Sequence, residues 1–242
     1  MTLSIAVRPG PAGRARRRTA TSTATLTTLA SVLAGTVTVP LVGTHNAFNA
    51  VAAGVAAVLI GADADAVRRG LAELRAPRGR LEPVHGPDDR VRVFVDYAHT
   101  DDAIAQVLAA VRPGVPAGSG LVAVIGAGGD RDRTKRPRML RAALDGADRV
   151  VVTSDNPRTE DPEAIIDEVM TGARPDEASR IVRRCDRADA IRGAIADAAD
   201  GDVVVIAGKG HETYQIFGTE RHPFDDVQVV REALDERRRR SA

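Results

Sequence analysis

From about residue 88 onward, short apolar runs alternate with stretches of helical period, and few folds tolerate that alternation. The apolar runs are 91–95 (VRVFV), 121–125 (LVAVI), 149–153 (RVVVT), 180–184 (RIVRR) and 202–207 (DVVVIA). Strands joined through helices cannot be hairpins; each crossover brings the chain back to the same end, so the strands run parallel. Their near-continuous Val/Ile content fits burial on both faces. The expected fold class is therefore α/β, a mostly parallel sheet with helices on both faces. A further run, YQIF at 214–217, is expected as an antiparallel edge strand of that sheet, and PAGSG at 116–120 as a loop. A last helix is expected from about Asp225 into the Arg run at 237–240, where cations suit the negative pole of the helix dipole.

In open α/β sheets, ligands bind beyond the carboxyl ends of the strands. The unusual residues of this sequence fall there. DYAHT follows 91–95, GAGGDRDRTKR follows 121–125, SDNPR follows 149–153 and GKGHE follows 202–207. Polar strings from distant parts of the chain are thus expected along one rim.

Each string has a functional and a plain reading. The glycines 126, 128 and 129 let a backbone approach an anion, and Arg131, Arg133, Lys135 and Arg136 suit phosphate or carboxylate; the plain reading is a tight turn after a strand. In Asp155-Asn156-Pro157-Arg158, the guanidinium suits a carboxylate; the plain reading is a turn before a helix. Gly208, Lys209, Gly210, His211 and Glu212 offer close approach and a carboxylate for an ammonium; the alternative is a surface His–Glu pair. Asp96 and His99 fit a ribose or phosphate contact, or else belong to a helix start capped by Thr100 or Asp101.

The region before residue 86 is organised differently. Residues 1–24 carry Pro, Gly and Arg without periodicity and are expected to form a disordered tail. Their Arg cluster followed by a Thr/Ala/Leu stretch imitates an export signal, but the stretch is only weakly apolar and no clean cleavage site follows. A strand is expected over 36–42, a helix over 46–60 ended by Gly61, and a second helix capped by Asp63 with Val67, Leu71 and Leu74 on one face. Bulk properties narrow the function classes. Of 242 residues, 34 are basic and 33 acidic, so nothing favours nucleic acid or an anionic membrane. No apolar run is long enough to span a bilayer. The single cysteine, Cys185, excludes an internal disulfide and a multi-cysteine zinc site and suits a cytoplasmic location. No zinc-ligand spacing or Ser or Cys nucleophile motif is found, and no metal site is expected.

The strings GRLEPV (79–84), DYAHT (96–100), GAGGDRDRTKRP (126–137), TSDNPRTEDP (153–162), AGKGHETYQ (207–215) and FDD (224–226) together resemble the Mur ligases, and within them the type that adds meso-diaminopimelate. The match runs from about residue 36 to the end. It implies a Rossmann-like C-terminal domain over 86–242, preceded at 25–85 by a remnant of the family's central ATPase domain. It also implies an ATP- and Mg2+-dependent amide ligase of peptidoglycan synthesis. In that chemistry ATP phosphorylates the carboxylate of a UDP-muramoyl dipeptide, and the amine of the incoming amino acid attacks the acyl phosphate. The resemblance assigns amino-acid contacts to Arg131, Asp155, Asn156, Pro157, Arg158, Gly208 and Glu212. It places Asn46, Asn49, Arg80, Asp96, His99 and Lys135 around ATP. Diaminopimelate differs from lysine by one carboxylate. Lysine would leave a buried Arg158 unpaired, at on the order of 3–5 kcal/mol.

The chain departs from the family pattern in three ways. Asp101 stands where the family usually has Pro. The counterpart of the family's carbamylated lysine is not found. No G-x-x-G-K-[ST] string occurs, since Lys209 is followed by Gly210 and Lys135 by Arg136. These residues alone are thus expected to be inactive as a ligase, and to need a complementing N-terminal half or to serve as a non-catalytic amino-acid-binding or interaction module. An uncovered surface over 25–85 is expected to favour poor solubility or oligomerisation.

Overall fold

The computed structural model describes residues 3–7 and 35–241. Contacts divide the chain into two compact units, Met1–Arg75 and Ala76–Ala242.

In the first unit, β1 (Leu3–Val7) pairs antiparallel with β2 (Gly35–Val39). Leu3–Val7 was expected within a disordered tail. It forms a strand because the ladder satisfies its backbone N–H and C=O groups. The rest of that stretch, 8–24, lies outside the described residues. The expected strand over 36–42 stops before Pro40, which has no N–H to give to a ladder. Helix α1 (Thr44–Leu59) ends at Gly61, whose φ is +98°. Helix α2 (Ala64–Ala72) starts where Asp63 accepts the Ala66 N–H at 2.9 Å, and it buries Val67 and Leu71. Leu74, expected on the same face, lies past its end and is half-buried.

The second unit is built on a six-stranded sheet in the order β3-β4-β8-β5-β6-β7. Its strands are β3 (Glu82–Pro83), β4 (Arg92–Asp96), β5 (Leu121–Ala127), β6 (Arg149–Ser154), β7 (Ile181–Arg183) and β8 (Val203–Ala207). All pair parallel except β3, which runs antiparallel to β4 at one edge. The GRLEPV string therefore belongs to this unit, and the division falls earlier in the chain than residue 85.

Five helices complete the unit: α3 (Asp101–Val111), α4 (Arg136–Gly146), α5 (Pro162–Met170), α6 (Arg187–Ala196) and α7 (Asp226–Ser241). Val93, Val95, Val122, Val124, Val204 and Ile206 pack on one sheet face with Ile191 and Ile195 of α6 and Val230 and Leu234 of α7. The buried residues that alternate with them along the strands, Phe94, Ala123, Ile125 and Val205, point to the other face. There α4 and α5 lie on β5 and β6, and α3 lies beside α4. Both faces are thus covered, which is why the strands read as unbroken apolar runs.

The YQIF run does not join this sheet. It forms β9 (Tyr214–Phe217), paired antiparallel with β10 (Glu220–Pro223) in a separate hairpin. The edge position expected for it is taken by β3.

Candidate functional site

The four polar strings do meet beyond the carboxyl ends of β4, β5, β6 and β8, and hydrogen bonds join them. The Gly208 N–H donates to the Asp96 carbonyl at 3.1 Å, tying GKGHE to DYAHT. The Gly129 N–H donates to the Asn156 carbonyl at 2.9 Å, tying the glycine-rich turn to DNPR. Two approaches are too close for any side chain. A Cβ on Gly129 would stand 1.8 Å from the Pro157 carbonyl oxygen, and one on Gly79 would stand 2.2 Å from the Gly210 carbonyl carbon.

A buried charged cluster forms the inner part of the rim. The Lys209 ammonium is fully buried and donates to Asn156 Oδ1 and to Glu212 Oε2, both at 3.0 Å, with Asp155 Oδ1 at 3.8 Å. Asn156 Nδ2 also donates to Glu212 Oε2, at 2.9 Å. The Ile216 N–H donates to Asn156 Oδ1 at 3.0 Å, so the amide is held from both ends. Burial pushes the Glu212 carboxyl up, but the hydrogen bonds from Asn156 and Lys209 prevail and hold it below its ordinary value. Burial pushes the Asp155 carboxyl up, against the opposing pull of Arg187 and Lys209. Pro157 is buried in the turn between them.

Beneath this cluster lies a second pair. Arg187 Nε and Nη2 donate to the two Asp226 oxygens at 2.8 Å, with both side chains fully buried. Arg187 also donates to the Ser154 carbonyl at 3.3 Å and the Ala207 carbonyl at 3.1 Å, so it holds the ends of β6 and β8 in place.

The outer part of the rim carries Arg158, whose Nη1 stands 3.0 Å from where a Cβ on Gly128 would be, and Arg131, whose Cγ stands 3.6 Å from it. Arg158 is half-buried and donates to the Gly129 carbonyl at 2.7 Å; Arg131 is exposed and reaches only the Asp130 carbonyl, at 3.3 Å. Neither pairs with a carboxylate among the described residues. The backbone of Arg158 sits at φ +53°, a strained value for a side-chain-bearing residue. The hairpin holds it there: the Arg158 N–H donates to the Ile216 carbonyl at 3.0 Å, and the Gly218 N–H donates to the Arg158 carbonyl at 2.7 Å.

The other cations of the glycine-rich turn differ in fate. Arg136 is buried against Glu160 and Glu168, and Arg133 pairs with Glu168. These two, expected to face an anion, are already neutralised inside the protein. Lys135 is half-buried just before α4 and has no carboxylate partner among the described residues.

Arg80, Tyr97, His99 and His211 form a separate group. The Arg80 guanidinium lies 5.0 Å from the Tyr97 ring centroid, with the His99 and His211 rings 4.7 and 5.0 Å from it. Asp96 is not part of this open group. It is buried, and its two oxygens accept the Leu81 N–H at 2.7 Å and the Ala98 N–H at 2.8 Å. Its side chain holds the backbone at Leu81 and Ala98. Thr100 caps α3, so that plain reading holds alongside the cluster. Asn46 and Asn49 lie on α1, in the other unit; Asn46 Nδ2 donates to the Val42 carbonyl at 2.7 Å, and Asn49 is exposed.

Reasoning from sequence overlooked Lys209, Arg187 and Asp226 as parts of the site. Their signal was present only as a Lys between two glycines and an Asp in FDD. Among the described residues, no group of three or more His, Cys, Asp or Glu side chains is arranged to hold a metal ion, and no helix is long and apolar enough to cross a membrane.

Comparison with known proteins places this geometry. The family model described as Mur ligase, glutamate ligase domain, matches residues 79–210. The chain is 51% identical over 203 residues to the UDP-N-acetylmuramoyl-L-alanyl-D-glutamate–2,6-diaminopimelate ligase of Gloeobacter violaceus, covering 84% of this chain and 41% of that one. The protein of the same name from Thermosynechococcus vestitus is 47% identical over 204 residues, with 84% and 40% covered. A solved structure of a ligase of that name superposes with a TM-score of 0.65 at 45% identity, covering 84% of this chain and 41% of that chain. Folylpolyglutamate synthase of Mycobacterium tuberculosis, solved with ADP and AMPPCP, superposes with a TM-score of 0.54 at 30% identity, with 73% and 40% covered. The chain thus spans about two-fifths of the length of the curated relatives it matches. With this domain occupying more than half of its length, the chain belongs to the Mur ligase family.

Proposed function

We propose that this chain is the amino-acid-binding part of a cytoplasmic ATP-dependent amide ligase that adds meso-diaminopimelate to UDP-N-acetylmuramoyl-L-alanyl-D-glutamate in peptidoglycan synthesis. One observation carries the reading. Two guanidiniums without carboxylate partners, Arg131 and Arg158, stand on the same rim as a carboxylate, Glu212, held in its charged form. Meso-diaminopimelate carries two carboxylates and two ammoniums, and this rim offers groups of both signs to it.

The residues divide the work. Arg158, pinned by the hairpin, meets the carboxylate that lysine lacks. Arg131 takes a second carboxylate. Glu212 has one oxygen, Oε1, with no partner among the described residues, and that oxygen takes a ligand ammonium. Asp155, Asn156 and Pro157 shape the floor, and Gly208 lets the ligand come close. Binding of this kind leaves one amine oriented towards the acceptor carboxylate, which is catalysis by positioning.

ATP fits the chain in part. Arg80, Tyr97 and His99 offer a stacking and cationic shelf, and Lys135 an unpaired ammonium near the start of α4. When bound, ATP supplies the phosphoryl group that activates the acceptor carboxylate. Helix α1, which carries Asn46 and Asn49, and helix α2 are in this reading a remnant of a central domain. The buried Asp96 supports this shelf from behind. The described residues do not fit Mg2+, since no cluster of metal-ligating side chains is present among them.

Residues 1–242 by themselves carry no phosphate-binding G-x-x-G-K-[ST] loop, so we expect no ligation without a complementing N-terminal half that supplies it. Incubating the purified chain with ATP, the UDP-muramoyl dipeptide and meso-diaminopimelate should give no product. Adding the unmatched portion of the Gloeobacter violaceus ligase should restore measurable turnover. Turnover by the chain alone at ordinary enzyme rates contradicts this division of labour.

A further inference from the structure

We propose that Lys209 is the positioning and specificity-determining residue of this rim, an internal ammonium that occupies half of Glu212 so that only one ammonium of a ligand can be taken. This rests on the amino-acid-site reading above.

Lys209 is unusual among the cations of this chain. It is fully buried and touches three members of the rim at once: Asn156 Oδ1, Glu212 Oε2 and, farther off, Asp155 Oδ1. A buried ammonium is costly unless its donors are used, and here they are used on Asn156 and Glu212 of the rim. The geometry has two consequences. First, Asn156 Oδ1 receives donors from both Lys209 and the Ile216 backbone, which turns its Nδ2 to donate to Glu212 Oε2. Lys209 thereby sets which way the amide points. Second, Glu212 Oε2 is saturated by Lys209 and Asn156, and only Oε1 is left open. The carboxylate is kept charged by an internal partner before any ligand arrives, which is preorganisation rather than induced pairing.

The charge count agrees. Arg187 and Asp226 cancel as a buried pair, leaving Lys209 against Asp155 and Glu212. Without Lys209, the same carboxylates would attract ammonium-bearing amino acids with less regard to what the outer arginines hold, so discrimination against lysine would weaken.

Two measurements test this. The first needs no ligand: the Glu212 carboxyl and the Asn156 side-chain amide are followed by NMR against pH in the full chain and in Lys209→Met. The inference predicts that Glu212 titrates below the ordinary carboxylate range in the parent and higher in the variant, with the Asn156 amide signals moved. Unchanged titration and unchanged amide signals overturn it. Should Lys209→Met not fold, proton exchange of the Lys209 ammonium in the parent decides: slow exchange supports a tethered buried ammonium and fast exchange refutes it. The second is calorimetry with meso-diaminopimelate and with L-lysine. On Lys209→Met, diaminopimelate affinity should fall about tenfold because the Asn156–Glu212 pair is no longer preorganised, and the preference over lysine should shrink. Equal affinities in parent and variant overturn the proposal. Failure of the parent to bind diaminopimelate would instead count against the amino-acid-site reading and leave the positioning role to be judged by the NMR result.

Discussion

Arg187 and Arg158 stand at the carboxyl edge of one sheet and are spent in opposite ways. Arg187 is fully buried, bidentate on Asp226, and bonded to the carbonyls that end β6 and β8. Arg158 is half-buried, strained in its backbone, and without an acidic partner among the described residues. The difference teaches where the fold stops and the site begins. Cations whose donors are all answered internally hold strands together. A cation that the fold has gone to the trouble of orienting, by a hairpin and a positive φ, and then left unanswered is held for something else. Arg136 repeats the first pattern with Glu160 and Glu168, whereas Arg131 is an exposed cation without an acidic partner among the described residues.

The sharpest way to break this comparison is to exchange the fates of the two arginines. Arg187→Met leaves Asp226 buried without a partner and should destabilise the chain by about 3–5 kcal/mol. Urea unfolding would measure the loss; a change below about 1 kcal/mol would place Arg187 with the surface pairs. Arg158→Ala should do the reverse. Stability should move by less than about 1 kcal/mol, whereas meso-diaminopimelate affinity should fall on the order of a hundredfold, the expected cost of truncating one partner of a desolvated charge pair. A large stability loss with unaltered binding would make Arg158 a structural residue.

A smaller effect sharpens the structural side. The side-chain hydrogen bonds from Arg136 hold Glu160 at about 2, and those from Arg141 hold Glu177 at about 2. Both lie below the free value of 4.5, so the folded state binds these protons more weakly than the unfolded one. Their contribution is present in full above about pH 4.5 and is lost as pH falls towards 2. Glu160→Gln should therefore be less stable than the parent at neutral pH, and the gap should close on acidification. Circular dichroism of parent and variant across that window reads it directly; a gap that widens at low pH would contradict the assignment.

Much of this molecule could be read before it was seen, and the omissions have physical reasons. The strands of the sheet were legible because burial on both faces demands unbroken β-branched runs, as in Val203–Ala207. The meeting of DYAHT, DNPR and GKGHE followed from the parallel order, which puts the strand ends together. Three things were not legible. Lys209 lies between glycines, and only its long-range contacts with Asp155 and Asn156 reveal that it is buried. The YQIF run has a strand's composition, but it pairs with Glu220–Pro223 across a turn and bridges to Arg158 rather than joining the sheet. Arg133 and Arg136 read as free cations because Glu160 and Glu168 come from a later helix region. For Lys209, Arg133 and Arg136 the deciding partners are distant in sequence, and local pattern carries no record of them.

The central claim is that the unanswered arginines and the half-occupied Glu212 form a socket for an amino acid with an extra carboxylate. Calorimetric titration of the full chain with meso-diaminopimelate and with L-lysine, under one buffer and salt condition, tests it most directly. The account predicts saturable binding of diaminopimelate and at least about tenfold weaker binding of lysine. Equal affinity for the two amino acids, or no binding of diaminopimelate, would contradict it.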